Sequence, residues 1–593
     1  MGFFKMIFAS CLGFFAFLVV CVALVFIIGI GSMRSGKNTA SVKPNSILKI
    51  DFKHLIAERS DQNSPFDDLN IEGFGSPTPV GITEISAALN YAKTDNNIKA
   101  IFLDMGMLEG AGFAQRDVIR KALMDFKTSK KPIYAYAEYY TQGTYYLAST
   151  ADKVFLNPAG NMAFNGFVSE GMFFKGTLEK LEVEMKLIRG KNNVYKGAGE
   201  TFTRTDYSQE NRLQVSELLN DLYDQYLANI AQSRNISKQN LFQIADSMAI
   251  REPNDALRLG LIDGVVYRDQ VTDQLMKTVK VEKEKDLKFI ELKKYISATA
   301  NLIDKGNTAT NRIAVVYASG QIAGGQGDET SIGSERISKA IRDARLDDKV
   351  KAIVLRVNSP GGSALASDVI WREMQLAKKI KPVVVSMSDL AASGGYYIAM
   401  PSNKIFAEPS TITGSIGVFT LMPNAQKLME NKFGVTFDRV KTAQYADLGY
   451  ASKPLSPQEE RIIQQGVDKI YSDFLIKVGE GRKKDTAQIS PLASGRVYTG
   501  KKALELGLVD ALGGLPEAIA EAAKLAKIEQ YKIKNLPFLE NPIEKIFKQS
   551  MEETKTKWLA NELGIDYKNY QNIKKILKAD RYLMQMDLEF DIK

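Results

Sequence analysis

The strongest constraint on this chain is that its sequence occurs twice. Asp152-Lys-Val-Phe-Leu-Asn-Pro158 returns as Asn403-Lys-Ile-Phe-Ala-Glu-Pro409, 251 positions later. Gln142-Gly-Thr-Tyr-Tyr-Leu-Ala148 returns at the same interval as Ser393-Gly-Gly-Tyr-Tyr-Ile-Ala399. Upstream, Ile101-Phe-Leu103 matches Ile353-Val-Leu355; downstream, Ala256-Leu-Arg-Leu-Gly-Leu-Ile-Asp263 matches Ala503-Leu-Glu-Leu-Gly-Leu-Val-Asp510. Order is kept and the interval barely drifts, which chance matches do not achieve. At 593 residues the chain is too long for one core. It is therefore expected to fold as two copies of one domain, over 46–309 and 310–540.

Within a copy, short apolar runs alternate with helical patterns. Lys351–Val357 and Pro382–Met387 are β-branched runs without polar alternation, as suits parallel strands buried on both faces. Between them Ala364–Lys378 has helical spacing, with Val369, Ile370, Met374 and Ala377 assigned to the inward side. The fold class is α/β, built from βαβ units.

Outside the copies lie two segments. From Met6 to Ile30 no residue is charged; 25 helical residues would span roughly 37 Å, enough for a bilayer. A retained transmembrane anchor is expected there. The alternative, a cleaved signal peptide, needs a shorter apolar region and a clear small-x-small site, of which Gly29-Ile30-Gly31-Ser32 is a faint version. Residues 1–45 are assigned to anchor and linker. Gly31 to Asn38 resembles a phosphate-binding loop but lacks its Ser/Thr and follows no buried strand, so it is assigned to the linker. The flanking charges, Lys5 against Arg34, Lys37 and Lys43, lean towards a cytoplasmic bulk. Residues 541–593 form a Lys-rich polar tail, expected to be helical, with no partner in the repeat.

Composition removes several chemistries. The only histidine is His54, and the two cysteines, Cys11 and Cys21, lie in the apolar run. Neither a Cys/His zinc site nor a thiol nucleophile is then available to the repeats, and no metal or cofactor is expected. The net charge of +9, 78 basic less 69 acidic residues, is not gathered into a basic block, so no nucleic-acid partner is expected.

Catalysis is left to Ser, Lys, Asp, Glu or Tyr. In the run Val383 to Met400 an apolar strand meets a small-residue turn, and Ser393 opens a helix-like segment. A serine at such an elbow is presented for attack; the plainer alternative is a helix cap. Gly394 and Gly395 would let a substrate backbone come close. Pro360-Gly361-Gly362 follows another strand and would offer free amides beside that of Gly394, as an oxyanion site needs, or else form an ordinary turn. With one histidine, lysine is the natural base, and bringing its pKa from about 10.4 to about 7 takes roughly 4–5 kcal/mol of environment. The first copy has Tyr195-Lys-Gly-Ala-Gly199 where the second has Tyr445-Ala-Asp-Leu-Gly449. Lys196 thus faces Ala446, while Ser393 faces Gln142. Each copy lacks what the other keeps, as two halves of a divided Ser/Lys site would; drift at two surface positions is the alternative.

Four segments, LRVNSPGGS at 355–363, SGGYYIA at 393–399, PSTITGSIGVF at 409–419 and VYKGAGETFTR at 194–204, resemble the signal peptide peptidase A (protease IV) family in its long two-copy form. The resemblance spans the anchor and both copies. It implies tandem Clp protease/crotonase-like domains behind one N-terminal transmembrane helix. It implies a serine peptidase with Ser393 as nucleophile, Lys196 as general base, Ser415 orienting the lysine, and an oxyanion hole from Gly394, Gly361 and Gly362. It further implies cleaved signal peptides as substrates and a homotetramer. The bulk of the chain would lie on the outer, periplasmic side of a bacterial cytoplasmic membrane, against the lean of the flanking charges. The competing functions are a crotonase-like acyl-CoA enzyme and a non-catalytic membrane scaffold.

Overall fold

The computed structural model describes residues 41–52, 55–60, 79–106, 108, 110–303, 307–539 and 582–586, with the single positions Gly13, Phe17 and Val20. Apart from those three positions, the expected span over 6–30 lies outside the described residues, as does His54. Among the described residues no helix is long and apolar enough to cross a membrane.

Two sheets repeat one plan. In the first, Gly264–Val265, Lys153–Met162, Ile133–Tyr140, Ile98–Asp104, Ser46–Ile50 and Lys288–Glu291 lie side by side, all parallel. In the second, the same succession is Ala511–Leu512, Lys404–Ala407, Val383–Ala392, Val350–Ser359, Arg312–Ser319 and Lys532–Leu536. The β-branched runs sit at the centres. Along Val350–Ser359, Ile353, Leu355 and Val357 enter one apolar cluster while Ala352 and Val354 enter another. Successive side chains point to opposite faces, so both faces are covered and polar alternation is absent. The helix Ala364–Lys378 keeps its expected bounds, capped by Ser363, whose Oγ accepts from the Ala366 amide at 3.1 Å. Ile370, Met374 and Ala377 are buried, but Val369 is 42% exposed, being one residue and about 100° round from that row.

The repetition extends to individual bonds. Tyr145 donates to the Leu261 carbonyl and Tyr396 to that of Leu508, each at 2.7 Å. Asp263 accepts from the Val154 amide and Asp510 from that of Ile405, each at 2.8 Å. Arg234 and Arg482 close the same ion pairs onto those aspartates.

One element breaks the symmetry. Glu184–Arg189, from the first copy, joins the second by pairing antiparallel with Phe419–Asn424 over six residue pairs. That third sheet also holds Gly361–Ser363 and, within 582–586, the one described part of the tail expected to be helical (541–581 and 587–593 lie outside the described residues), a strand at Leu583–Gln585. Two strands with open backbone groups flank this segment, and extended pairing satisfies its amides where a lone helical turn would not.

The copies are also joined by a buried polar knot. Arg356 Nε donates to Glu58 Oε2 at 2.8 Å, its Nη1 to Ser386 Oγ at 2.8 Å and its Nη2 to Ser388 Oγ at 2.8 Å. Glu58 Oε1 accepts from Gln115 at 2.7 Å, from Asn358 at 2.9 Å and from Ser388. Nearby, burial and then the charge of Asp117 push the Glu408 carboxyl up to about 7. Burial likewise pushes Asp389 up to about 6, although the Gln115 amide donates to it.

Two stability effects are expected. Glu58→Ala leaves a buried guanidinium without its carboxylate and should cost about 3–5 kcal/mol, read as a lower urea midpoint, whereas Glu58→Ala with Arg356→Met should recover most of it. A raised carboxyl pKa means the fold holds the proton more tightly than the unfolded chain does. Its contribution is thus full below the unfolded value of 4.5 and is lost as pH rises through about 7. Glu408→Gln should therefore stabilise the protein at pH 8 by about 1–3 kcal/mol and leave its midpoint at pH 4 unchanged.

Candidate active site

Ser393 ends the strand Val383–Ala392 and precedes the helix Gly394–Ala399. Its backbone has φ 55° and ψ −112°, a conformation that costs a non-glycine residue of order 1–3 kcal/mol. The Oγ makes no capping bond, which disposes of the helix-cap alternative. The residue is held there by its own amide, which donates to the Gly414 carbonyl at 2.8 Å.

The lysine that meets this hydroxyl comes from the other copy. Lys196 is 1% exposed, and its Nζ donates to Ser393 Oγ at 2.8 Å, to Ser415 Oγ at 2.9 Å and to the Ser415 carbonyl at 3.0 Å. Ser415 follows the strand Ile412–Gly414, has φ 49°, and is pinned by its amide to the Arg496 carbonyl at 2.7 Å. Residues distant in sequence thus meet in one buried cluster.

The path of the lysine loop explains the meeting. Immediately after the strand Glu184–Arg189, the Gly190 amide donates to Val418 O at 3.0 Å and Asn193 Nδ2 to the same oxygen at 3.2 Å. The Tyr195 amide donates to Ser494 O at 3.0 Å. Gln214 then bridges the copies: its Nε2 donates to Tyr195 O at 2.7 Å and its Oε1 accepts from the Val497 amide at 3.3 Å. Behind the loop, buried Glu200 accepts from Arg189 at 2.8 Å and from the Ser208 amide and Asn211 at 3.2 Å each. Gly495, at φ 82°, lets the loop lie flush; a Cβ there would stand 2.6 Å from both N and Cβ of Lys196.

The glycine turn presses against the serine elbow. A Cβ on Gly361 (φ 95°) would stand 2.7 Å from the Gly394 nitrogen. The Gly361 amide is used internally, donating to Ser359 Oγ at 3.1 Å. Gly395 serves a different purpose from the one expected of it: a Cβ there would stand 2.8 Å from Ser359 O, so its bareness accommodates the chain's own turn. With the Gly361 amide so used, Gly362 and Gly394 are left of the three glycines expected at the oxyanion site. The corresponding place in the first copy is filled by Gln142, whose amide is tied at both ends to Gly166, at 2.8 and 3.0 Å. Ala446, opposite Lys196 in the repeat, is exposed. Among the described residues no cluster of His, Cys, Asp or Glu is disposed to hold a metal ion.

A buried amine touching the hydroxyl of a strained serine, with backbone amides alongside, is equipped for acyl transfer, and comparison with known proteins makes the chain a serine peptidase. It belongs to Peptidase family S49, which matches residues 125–282 and 375–529, one stretch in each copy. Protease 4 from Salmonella typhi is 37% identical over 88% of this chain and 84% of its own. The chloroplastic serine protease SPPA of Arabidopsis thaliana is 34% identical over 78% of this chain and 68% of its own. A putative signal peptide peptidase SppA from Enterococcus faecium is 40% identical over 31% of this chain and 53% of its own.

Gln214, Glu200 and Gly495 had no cue in the repeat. Gly495→Ala should force Lys196 off its oxygens and lower peptidase kcat/KM by about ten- to a hundredfold, with the circular dichroism spectrum unchanged.

Proposed function

We propose that the chain is a membrane-anchored endopeptidase that degrades signal peptides already cut from exported proteins, using a Ser/Lys pair divided between its two copies. The observation that carries this reading is the 2.8 Å contact between Lys196 Nζ and Ser393 Oγ across the copies.

In the proposed reaction neutral Lys196 takes the proton of Ser393 as Oγ adds to a peptide carbonyl. Withdrawal from water works against an ammonium, and the amine needs its lone pair for this step. Ser415 holds Nζ in line. The amides of Gly362 and Gly394 receive the developing oxyanion, a role that the expectation spread over Gly361 as well. Lys196 returns its proton to the leaving amine, and water, deprotonated by the same lysine, then releases the acyl group from Ser393. The substrate lies extended, adding a strand to the sheet.

The anchor over 6–30, the homotetramer and the placement of the bulk outside a bacterial cytoplasmic membrane belong to the same proposal and rest on the family resemblance. A reporter fused after Lys593 should be active only outside the cytoplasm.

The chemical test is direct. A fluorophosphonate probe should label the protein at Ser393, and Ser393→Ala should abolish both labelling and peptide hydrolysis. Lys196→Ala should lower kcat by at least about a thousandfold with little change in KM. Labelling that survives Ser393→Ala would remove the serine assignment. Full activity in Lys196→Ala would remove the divided pair. Turnover of acyl-CoA esters without peptide hydrolysis would favour the crotonase-like alternative.

A further inference from the structure

We propose that Gln214 is a positioning residue for the proton transfer between Lys196 and Ser393, and that buried Glu200 sets the direction in which Gln214 acts. The inference rests on the peptidase reading. It adds two side chains that stand behind the lysine loop yet decide where the amine is held.

The helix Gln209–Arg234 of the first copy lies along the strand Val497–Thr499 of the second. Asn211, Gln214, Leu218 and Asp221 recur at steps of three and four residues, so they share one face of that helix. That face is turned to the second copy. Thr499 Oγ1 donates to Asp221, the Val497 amide donates to Gln214, and Leu218 packs with Ala392 and Val497. Asn211 and Gln214 are both buried.

The segment just before Val497 holds the lysine loop and the serine that orients it. Ser494 O accepts from the Tyr195 amide at 3.0 Å, and Arg496 O accepts from the Ser415 amide at 2.7 Å. Between them the Gly495 amide donates to Ile416 O at 2.9 Å, and Gly495 lies flush against Lys196. Gln214 grips this assembly from both sides. It binds the carbonyl of Tyr195, one residue before Lys196, and the amide of Val497, one residue after Arg496.

The carboxamide can do this in one orientation. Its nitrogen carries two hydrogens and its oxygen none. The hydrogens go to Tyr195 O at 2.7 Å and Asn211 Oδ1 at 2.8 Å, while the oxygen accepts from Val497 at 3.3 Å. Turned over, the group would set its oxygen against two oxygens and its N–H groups against an N–H. Asn211 is fixed in turn by Glu200. A carboxylate ion-paired with Arg189 has only acceptors to offer, so Asn211 presents Nδ2 to Glu200 Oε2 at 3.2 Å and its own oxygen to Gln214.

One directional chain thus runs from the ion pair at the end of the strand Glu184–Arg189, through two carboxamides, to the backbone on both sides of the amine. Cutting it at Gln214 frees Tyr195 and Val497. Neutralising Glu200 lets Asn211 and Gln214 turn over. Neither change touches Ser393 or the glycine turn, so peptide binding is kept while proton transfer loses its geometry.

Kinetics of the purified full chain on a fluorogenic peptide test this. Gln214→Met keeps the length of the side chain and gives up its hydrogen bonds. It should lower kcat by about ten- to a hundredfold, with KM within about twofold and the circular dichroism spectrum unchanged. Gln214→Glu has the same shape and loses at least one donor; it should lower kcat in the same way and serves if the methionine variant folds poorly. Glu200→Gln should also lower kcat, and Glu200→Gln with Gln214→Met should fall no further than Gln214→Met alone, because the two act in series. Asp221→Ala removes the neighbouring bond between the copies, at Thr499, and should keep kcat within about twofold. Three results each overturn the inference and leave the peptidase reading standing: kcat preserved in both Gln214 variants, an equal loss in Asp221→Ala, or losses at Glu200 and Gln214 that multiply. Wild-type protein that neither hydrolyses peptides nor takes the fluorophosphonate label overturns both.

Discussion

The structure depends on six residue pairs, the antiparallel union of Glu184–Arg189 with Phe419–Asn424. Each copy otherwise has its own parallel sheet and its own main core, with the Glu58–Arg356 knot and Gln214 as further ties between them. This one strand leaves the first copy and completes a sheet of the second, and the loop that follows it carries Lys196. A ladder of this length offers a backbone bond at every second residue pair on each side and fixes register, because a slip by one residue would turn each side chain to the opposite face. The 2.8 Å contact between amine and hydroxyl is thus a consequence of sheet register, which positions a side chain more firmly than a flexible loop would.

Register alone would leave the amine free to swing. The remaining precision comes from strained or bare backbone positions held by polar contacts. Ser393 and Ser415 both sit at positive φ, and each is held by its amide donating to a carbonyl of a neighbouring segment. Gly361 and Gly495 allow backbones to approach where any Cβ would intrude. Strain of this kind persists when the surroundings over-determine it. Here the surroundings are the Glu58–Arg356 knot, which fastens the strands Val350–Ser359 and Val383–Ala392 to the first copy just upstream of the glycine turn and of Ser393.

Much of this was legible in the sequence for a physical reason. Repeated text reports repeated cores, and β-branched runs report strands buried on both faces, so the tandem α/β plan and the helix Ala364–Lys378 could be read directly. The Ser393/Lys196 pairing was legible because duplication supplies an internal control: a residue present in one copy and replaced in the other marks a position freed from a common role. Gln142, tied to Gly166, and exposed Ala446 are what such release looks like in three dimensions. Gln214 and Glu200 were not legible, since a polar residue on a helix looks the same whether it faces solvent or bridges two copies. Val369 shows the same limit at finer grain. The strand Leu583–Gln585 was hidden for another reason. Its extended form is set by two partner strands far away in sequence, and local propensity carries no record of them.

A site that straddles two copies ties chemistry to docking. Separation of the copies would leave a hydroxyl in one and an amine in the other. The contacts that oppose separation include buried carboxyls, Glu408 and Asp389, which hold protons more tightly when docked. Ionising them works against burial, so the docked state loses support as pH rises through about 6 to 7. The fully ionised knot at Glu58 and Arg356 works in the other direction, because burial of Glu58 is outweighed by the guanidinium and its hydrogen bonds, holding that carboxyl below its ordinary value. It holds the copies together wherever the carboxylate is charged. The two devices lie in one interface and respond to pH with opposite sign.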